Sequence, residues 1–376
     1  MNSLPATIVS GFPGAGKTAV IQHLLKECRS LKIGVVSNDV QSGALLDASL
    51  KLAATGGYDY LLIESSGDSE PTLLAEAFSL NDDHSEKVSG IQIDTMVTVV
   101  DAQNFLDDFQ SVDEFRDRHP GSNDDDDRDI VRVLIEQIEF ANVILLNKTD
   151  LISEDESGQL LAVLRKLNPD ARVLAIEHGR ISAAEVIKTD RYQSDSAAAA
   201  DAWQSVLADD EVGASDEFGI SSFVYRARRP FHPQRLWDFW MNGEHAPNIL
   251  RSKGYFWLAT KNALSGFWSH AGQVLAAEPG GAWWAETPRS EWPTDDPELV
   301  AELDSVWDEV WGDRRQELIL IGQDLDVAAT RQALDGCLLT DSEMNSGPSS
   351  WSQLEDPFGC WESGHDCDGS HDHDHG

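Results

Sequence analysis

The sequence predicts an α/β fold: a mostly parallel sheet with helices on both faces, followed by a small α+β domain and a disordered tail. Three observations predict it. First, Gly11-Phe12-Pro13-Gly14-Ala15-Gly16-Lys17-Thr18 fits G-x-x-x-x-G-K-[ST], with an apolar strand pattern before it and a helical pattern after it. Second, continuous apolar runs alternate with helical patterns through the first half, as in a sheet buried on both faces. Third, the composition then shifts, first to an Ala/Ser/Asp-rich stretch and then to a region holding most of the 12 Trp.

The elements follow in order. Ala6–Ser10 reads as a buried strand and Ala19–Leu25 as a helix with one apolar face. Further strands are expected at Lys32–Ser37, Tyr58–Glu64, Thr95–Asp101, Ala141–Asn147 and Ala171–Ile176, with a helix at Glu154–Leu167. Phe105–Asp129 breaks this pattern, and its centre, Pro120–Asp127, reads as an acidic surface loop. Residues 1–188 form the first domain, 189–217 a linker, 218–342 the α+β domain and 343–376 the disordered acidic, His-rich tail. The second domain should contain strands at Ile220–Arg226, Gly254–Ala259 and Glu317–Gly322, and helices at Gln234–Met241 and Val327–Leu334. Trp237, Trp240, Trp257, Trp268, Trp283 and Trp284 are expected in its core.

Composition sets limits. The chain has 376 residues, with a net charge of −38 from 66 acidic and 28 basic residues. Such a surface repels nucleic acid and anionic membrane. No apolar run reaches spanning length and Met1–Pro5 lacks a leader's pattern, so a cytoplasmic protein is expected. The four cysteines suggest no disulfide framework, and Cys28 reads as a packing residue.

The first motif is a P-loop, and its strand and helix lie where a P-loop requires them. Backbone N–H groups around Gly11, Gly14, Ala15 and Gly16 would close on phosphate oxygens, aided by the helix dipole. Lys17 would reach the β/γ-phosphates, and the Thr18 hydroxyl would hold Mg²⁺. Asn147-Lys148-Thr149-Asp150 is N-K-x-D directly after a strand. A carboxylate at Asp150 can accept from both N1–H and the 2-amino group of guanine, a donor pair adenine lacks, which favours GTP over ATP. Asn147 joins it in reading the base, while Lys148 can lie over the base and brace the loop. Glu64 ends the third strand where it can orient Mg²⁺, and Gly67 permits close approach to the γ-phosphate. Asp39, after the second strand, can face Mg²⁺ or the attacking water.

Together these residues resemble the CobW-type GTPases, P-loop metallochaperones related to the urease and hydrogenase nickel-insertion GTPases. The resemblance rests on G-F-P-G-A-G-K-T, Glu64-Ser65-Ser66-Gly67-Asp68-Ser69-Glu70-Pro71, Thr98–Ala102 and N-K-T-D. Further along it rests on Phe223–Tyr225, Arg228–Pro233, Trp311–Gln316 and Ile321–Gly322. It implies a slow, Mg²⁺-dependent GTPase that places Zn²⁺, or Co²⁺ or Ni²⁺, in a client protein, with Lys17, Asp39 and Glu64 serving hydrolysis. Homo-oligomerisation is compatible with it. One departure stands out: the family's G-C-x-C-C metal motif is missing, because Val40–Gly57 contains no Cys. The tail offers other donors, His365, Cys367, His371, His373 and His375, which a flexible chain can wrap around a divalent cation. Two other readings stay open: a regulatory GTP switch without metal delivery, and a metal buffer with a weakly active nucleotide domain.

Overall fold

β1 (Leu4–Ser10), β2 (Ile33–Ser37), β3 (Tyr60–Glu64), β4 (Ile91–Asp101), β5 (Val143–Asn147) and β6 (Arg172–Ala175) pair in parallel, in the order β2-β3-β1-β4-β5-β6. The computed structural model describes residues 3–37, 42–79, 90–118, 128–193, 218–244, 246–293 and 296–361. Successive residues of the central strands enter opposite cores, which explains the unbroken apolar runs. Val9, Leu62, Val97 and Leu145 pack in one cluster with Val20, Leu24 and Cys28, whereas Ile8, Leu61, Ile63 and Met96 pack in another with Leu74 and Phe78. Helices α1 (Lys17–Glu27), α2 (Ser42–Ala54) and α3 (Pro71–Ser79) connect the first strands. In the expected irregular stretch, α4 (Phe105–Phe109) and α5 (Phe115–Arg118) are single short turns, followed by α6 (Ile130–Glu139). The helix α7 (Glu154–Leu167) starts with a capping box between Ser153 and Glu156.

Sheet order decides what meets at the carboxyl edge. β1 lies between β3 and β4, so the chain reverses its direction of winding there, and such switch points hold ligands in open α/β sheets. The register sets Val9 beside Glu64, Ser10 beside Thr98 and Asp101 beside Asn147.

The chain divides into two compact units, Met1–Ser222 with Ala271–Val274 and Ile321–Asp324, and the remainder from Phe223. A five-stranded sheet contains β7 (Ile220–Ala227), β8 (Ile249–Phe256), β9 (Leu264–Ala271), β10 (Val274–Ala282) and β11 (Gln316–Gln323), in the order β10-β9-β8-β11-β7. Helices α8 (Pro233–Asn242), α9 (Pro297–Ser305), α10 (Val327–Cys337), α11 (Asp341–Ser346) and α12 (Pro348–Trp351) complete the second unit. Of the tryptophans expected in its core, Trp240, Trp257, Trp268 and Trp283 are buried, and Trp237 and Trp284 are half-buried.

Two expected boundaries are corrected. The disordered tail does not begin at 343. Trp351 is 1% exposed and packs with Trp257 and Trp311, Phe358 sits beside Trp237, Phe256 and Trp268, and Trp361 meets Phe256. Thr260 and Lys261 both bond Asp356. Three aromatic anchors in a polar segment bury enough surface to order it, although its average composition reads as unfolded. Nor does the linker begin at 189. The buried Asp94 carboxylate accepts from the N–H groups of Thr189 (3.1 Å) and Asp190 (2.9 Å), and from the hydroxyls of Tyr60 (2.5 Å) and Thr95 (2.8 Å). Burial alone would raise its pKa, but these bonds to the anion outweigh burial and lower it. The rest of the expected linker, the acidic loop at 120–127 and the His-rich end of the tail lie outside the described residues.

Candidate functional site

The turn between β1 and α1 is built on glycine. Gly16, the residue capping α1, has φ +104°, a left-handed conformation, and a Cβ there would collide with the Asn147 side chain. The Lys17 ammonium folds back over the turn, donating to the carbonyls of Gly11 (2.7 Å) and Phe12 (3.4 Å). Burial lowers its pKa, with Glu64 and Asp68 acting in the opposite sense. Phe12 is buried edge-on against Phe115 with centroids 5.4 Å apart, which anchors the outer side of the turn.

At the start of α1, the Thr18 hydroxyl donates to Glu64 Oε1 at 2.7 Å. The β1–β3 pairing brings these residues together across 46 positions of sequence. A hydroxyl and a carboxylate side by side are the hard oxygen donors that suit Mg²⁺. After Glu64 the chain turns at Gly67–Asp68, and Gly67 lies so close that a Cβ would run into the Pro13 ring. The sequence singled out Gly67 for close approach, and the neighbour it approaches in this structure is Pro13.

Asn147 is 2% exposed, and the protein uses both ends of its amide. Nδ2 donates to the Ala15 carbonyl at 2.9 Å, and Oδ1 accepts from the Gly179 N–H at 3.0 Å. Asn147 thus ties the P-loop to the segment after β6. The sequence expects Lys148 to lie over the base and brace the loop; in this structure its ammonium has another partner. With φ +67°, Lys148 turns its ammonium to the buried Asp101 carboxylate at 2.6 Å, because Asp101 is paired beside Asn147 in the sheet. Asp101 is held in place by the Gln103 N–H (3.1 Å) and the Asn104 amide (2.8 Å). Asp150 stands exposed on the turn after β5, with His178 Nδ1 at 3.8 Å.

The structure therefore gathers Gly11, Gly14, Ala15, Gly16, Lys17, Thr18, Glu64 and Gly67 around one turn, with Asn147 fastening it and Lys148 and Asp150 following on the next strand end. Asp39, His365, Cys367, His371, His373 and His375 lie outside the described residues. Among the described residues, no three or more His, Cys, Asp or Glu side chains group to hold a metal ion. No described helix is long and apolar enough to cross a membrane. Sequence reasoning missed Asp101 as the partner of Lys148, and missed Gly179, whose missing Cβ lets it pack against the Ala19–Val20 backbone. Gln137 and Arg128 were missed as well. Gln137 carried a visible signal, being the polar residue among the buried Ile130, Val133, Leu134 and Ile138 of α6.

Residues 5–55 and 42–175 match the family described as CobW/HypB/UreG, nucleotide-binding domain, and residues 220–338 match the Cobalamin synthesis protein cobW C-terminal domain. The chain is 34% identical, over 94% of its length and 84% of the relative's, to zinc-regulated GTPase metalloprotein activator 1 of Dictyostelium discoideum. It is 28% identical, over 72% of its length and 62% of the relative's, to a zinc chaperone of Mycobacterium tuberculosis. Among solved structures, the Zn(II)-bound YjiA GTPase from E. coli matches 90% of this chain and 100% of that one, at 20% identity and a TM-score of 0.38.

Proposed function

This chain belongs to the CobW family of nucleotide-binding proteins, and on that premise we propose that it is a GTP-hydrolysing metallochaperone that delivers a divalent metal, foremost Zn²⁺, to a client protein. The observation that carries the reading is the P-loop held from outside by Asn147, with Thr18 and Glu64 paired at its helix end.

The P-loop amides and Lys17 bind the phosphates. To do so, Lys17 exchanges its bonds to the Gly11 and Phe12 carbonyls for phosphate oxygens, a stronger charge-assisted pairing. Thr18 and Glu64 would hold Mg²⁺, which supplies neutralisation of the charge on the phosphoryl oxygens. Because the protein engages both ends of the Asn147 amide, base selection rests on Asp150, with Lys148 set beside it by Asp101. Asp39 or Glu64 would orient the attacking water or the metal. Catalysis is then chiefly positioning and charge stabilisation, and turnover is slow.

The metal is cargo. His365, Cys367, His371, His373 and His375 supply imidazole and thiolate donors that suit Zn²⁺. The names of the two relatives support zinc as the first metal to test. The experiment measures phosphate release from GTP with and without Mg²⁺, alongside Zn²⁺ binding to the full chain and to a chain ending at Trp361. Mg²⁺-dependent turnover that Lys17→Ala abolishes, together with Zn²⁺ binding that the truncation removes, supports the proposal. GTP binding retained by Lys17→Ala would refute the phosphate site, and Zn²⁺ binding unchanged by truncation would refute the tail as carrier.

A further inference from the structure

Gln137 is fully buried on α6, and its side-chain amide is used for hydrogen bonding. Its amide nitrogen donates to the Gly67 carbonyl at 2.9 Å and to the Ser69 carbonyl at 3.4 Å. Arg128 donates to the intervening Asp68 carbonyl at 2.6 Å and pairs with the Glu70 carboxylate at 2.9 Å. Two side chains thus hold three consecutive carbonyls and the carboxylate that follows. Gln137 is itself fixed to the sheet, because its backbone carbonyl accepts from the Thr98 hydroxyl at 2.6 Å.

The orientation of the Gln137 amide is not arbitrary. Two carbonyl acceptors require its NH₂ end, and this leaves Oε1 buried with no partner. An orphaned acceptor is tolerated where the donors matter more, so the position is used for its N–H groups.

Fixing the Gly67 carbonyl also fixes the next amide. Across a trans peptide the C=O and N–H point in opposite directions, so the Asp68 N–H is turned away from α6. Gly67 also abuts Pro13 of the P-loop, and Asp68 lies close enough for its charge to act on the Lys17 ammonium. The Ser69 N–H is already used, closing a turn onto the Ser66 carbonyl at 3.3 Å. Resting on the triphosphate reading of the P-loop, we propose that Gln137 and Arg128 are positioning residues that hold Gly67–Glu70 with the Asp68 N–H facing the γ-phosphate seat. They thereby set the preference for GTP over GDP.

The α- and β-phosphates are common to both nucleotides and are held by the P-loop itself. A defect confined to Gly67–Glu70 therefore changes the ratio of affinities, whereas general damage to the site lowers both. The test measures binding of a non-hydrolysable GTP analogue and of GDP, each with Mg²⁺, to the full-length protein and to Gln137→Met and Arg128→Gln. For each variant the analogue affinity falls about tenfold while GDP stays within about twofold, the loss expected from one disabled polar contact. Gln137→Glu, which keeps the size and loses the donors, behaves as Gln137→Met does. Equal losses for both nucleotides, or an unchanged ratio, overturn the proposal. Arg128 is partly exposed, so Arg128→Gln carries the test if Gln137→Met does not fold. Should the parent protein bind neither nucleotide, the P-loop reading fails. Should it bind both while the variants keep its ratio, only the positioning role fails.

Discussion

Replacing Asn147 by Ala removes the fastening between the P-loop and the segment after β6. The change leaves the Ala15 carbonyl and the Gly179 N–H without the partners they have at 2.9 and 3.0 Å, in a site where Asn147 is 2% exposed. Leaving one buried polar group unsatisfied costs about 1–3 kcal/mol, so the pair amounts to about 2–6 kcal/mol. Against a total stability of about 5–15 kcal/mol, that threatens the local fold. Global unfolding of a chain with two compact units need not be two-state, so the measurement should be local. Hydrogen exchange on peptides covering Gly11–Thr18 and Glu177–Arg180 reports opening of these two segments directly. Protection there should fall by about thirtyfold or more, the equivalent of at least ~2 kcal/mol, while β7–β11 peptides keep theirs. GTP and ATP binding should weaken together, because the lost contacts are to the loop and not to the base. Protection within about twofold of the parent would refute the bracing role, and a loss restricted to GTP would return Asn147 to base reading.

Other outcomes follow from the same geometry. Asp150→Asn replaces an acceptor pair with one donor and one acceptor, so competition assays should show guanine nucleotides losing at least about a hundredfold while a 2-oxo purine nucleotide such as xanthosine triphosphate gains. Trp351→Ala empties a site where the ring is 1% exposed between Trp257 and Trp311, and should cost the second unit about 3–5 kcal/mol in urea denaturation, whereas a chain ending at Trp361 should unfold as the parent does. Arg235 bonds the Glu343 carboxylate and holds its pKa at about 2, below its ordinary 4.5. The folded-state value is the depressed one, so this stabilisation is complete above about pH 4.5 and disappears as pH falls toward 2. Glu343 is partly exposed, so Glu343→Gln should cost only about 0.5–1 kcal/mol at pH 7, and the gap between the two proteins should close by pH 2 in parallel melts.

What the sequence revealed and what it hid differ by physical cause. The strands and P-loop were legible because their causes are local: apolar runs need two cores, and a left-handed turn needs Gly16. The helix at Glu154–Leu167 was legible to the residue because Ser153 and Glu156 mark its start within four positions. The partner of Lys148 was hidden because it depends on strand order. Lys148 can reach either the loop or an acid, and only the pairing of β4 with β5 puts Asp101 at 2.6 Å. The folded segment beyond residue 342 was hidden by averaging. Its polar composition argues for disorder, but Trp351, Phe358 and Trp361 each find an aromatic pocket made by residues about a hundred positions earlier.

Gln137 falls between these cases and shows where sequence reading can be extended. A polar side chain set among buried apolar residues of an amphipathic helix must find hydrogen bonds or pay for lacking them. The helix before the N-K-x-D strand lies next to β4, whose end adjoins the P-loop strand, so its buried polar residue had few polar targets besides the segment after Glu64. That reasoning needs only the sheet order and the amphipathic pattern. It leads to the same Gly67 carbonyl on which the preference for GTP over GDP is proposed to depend.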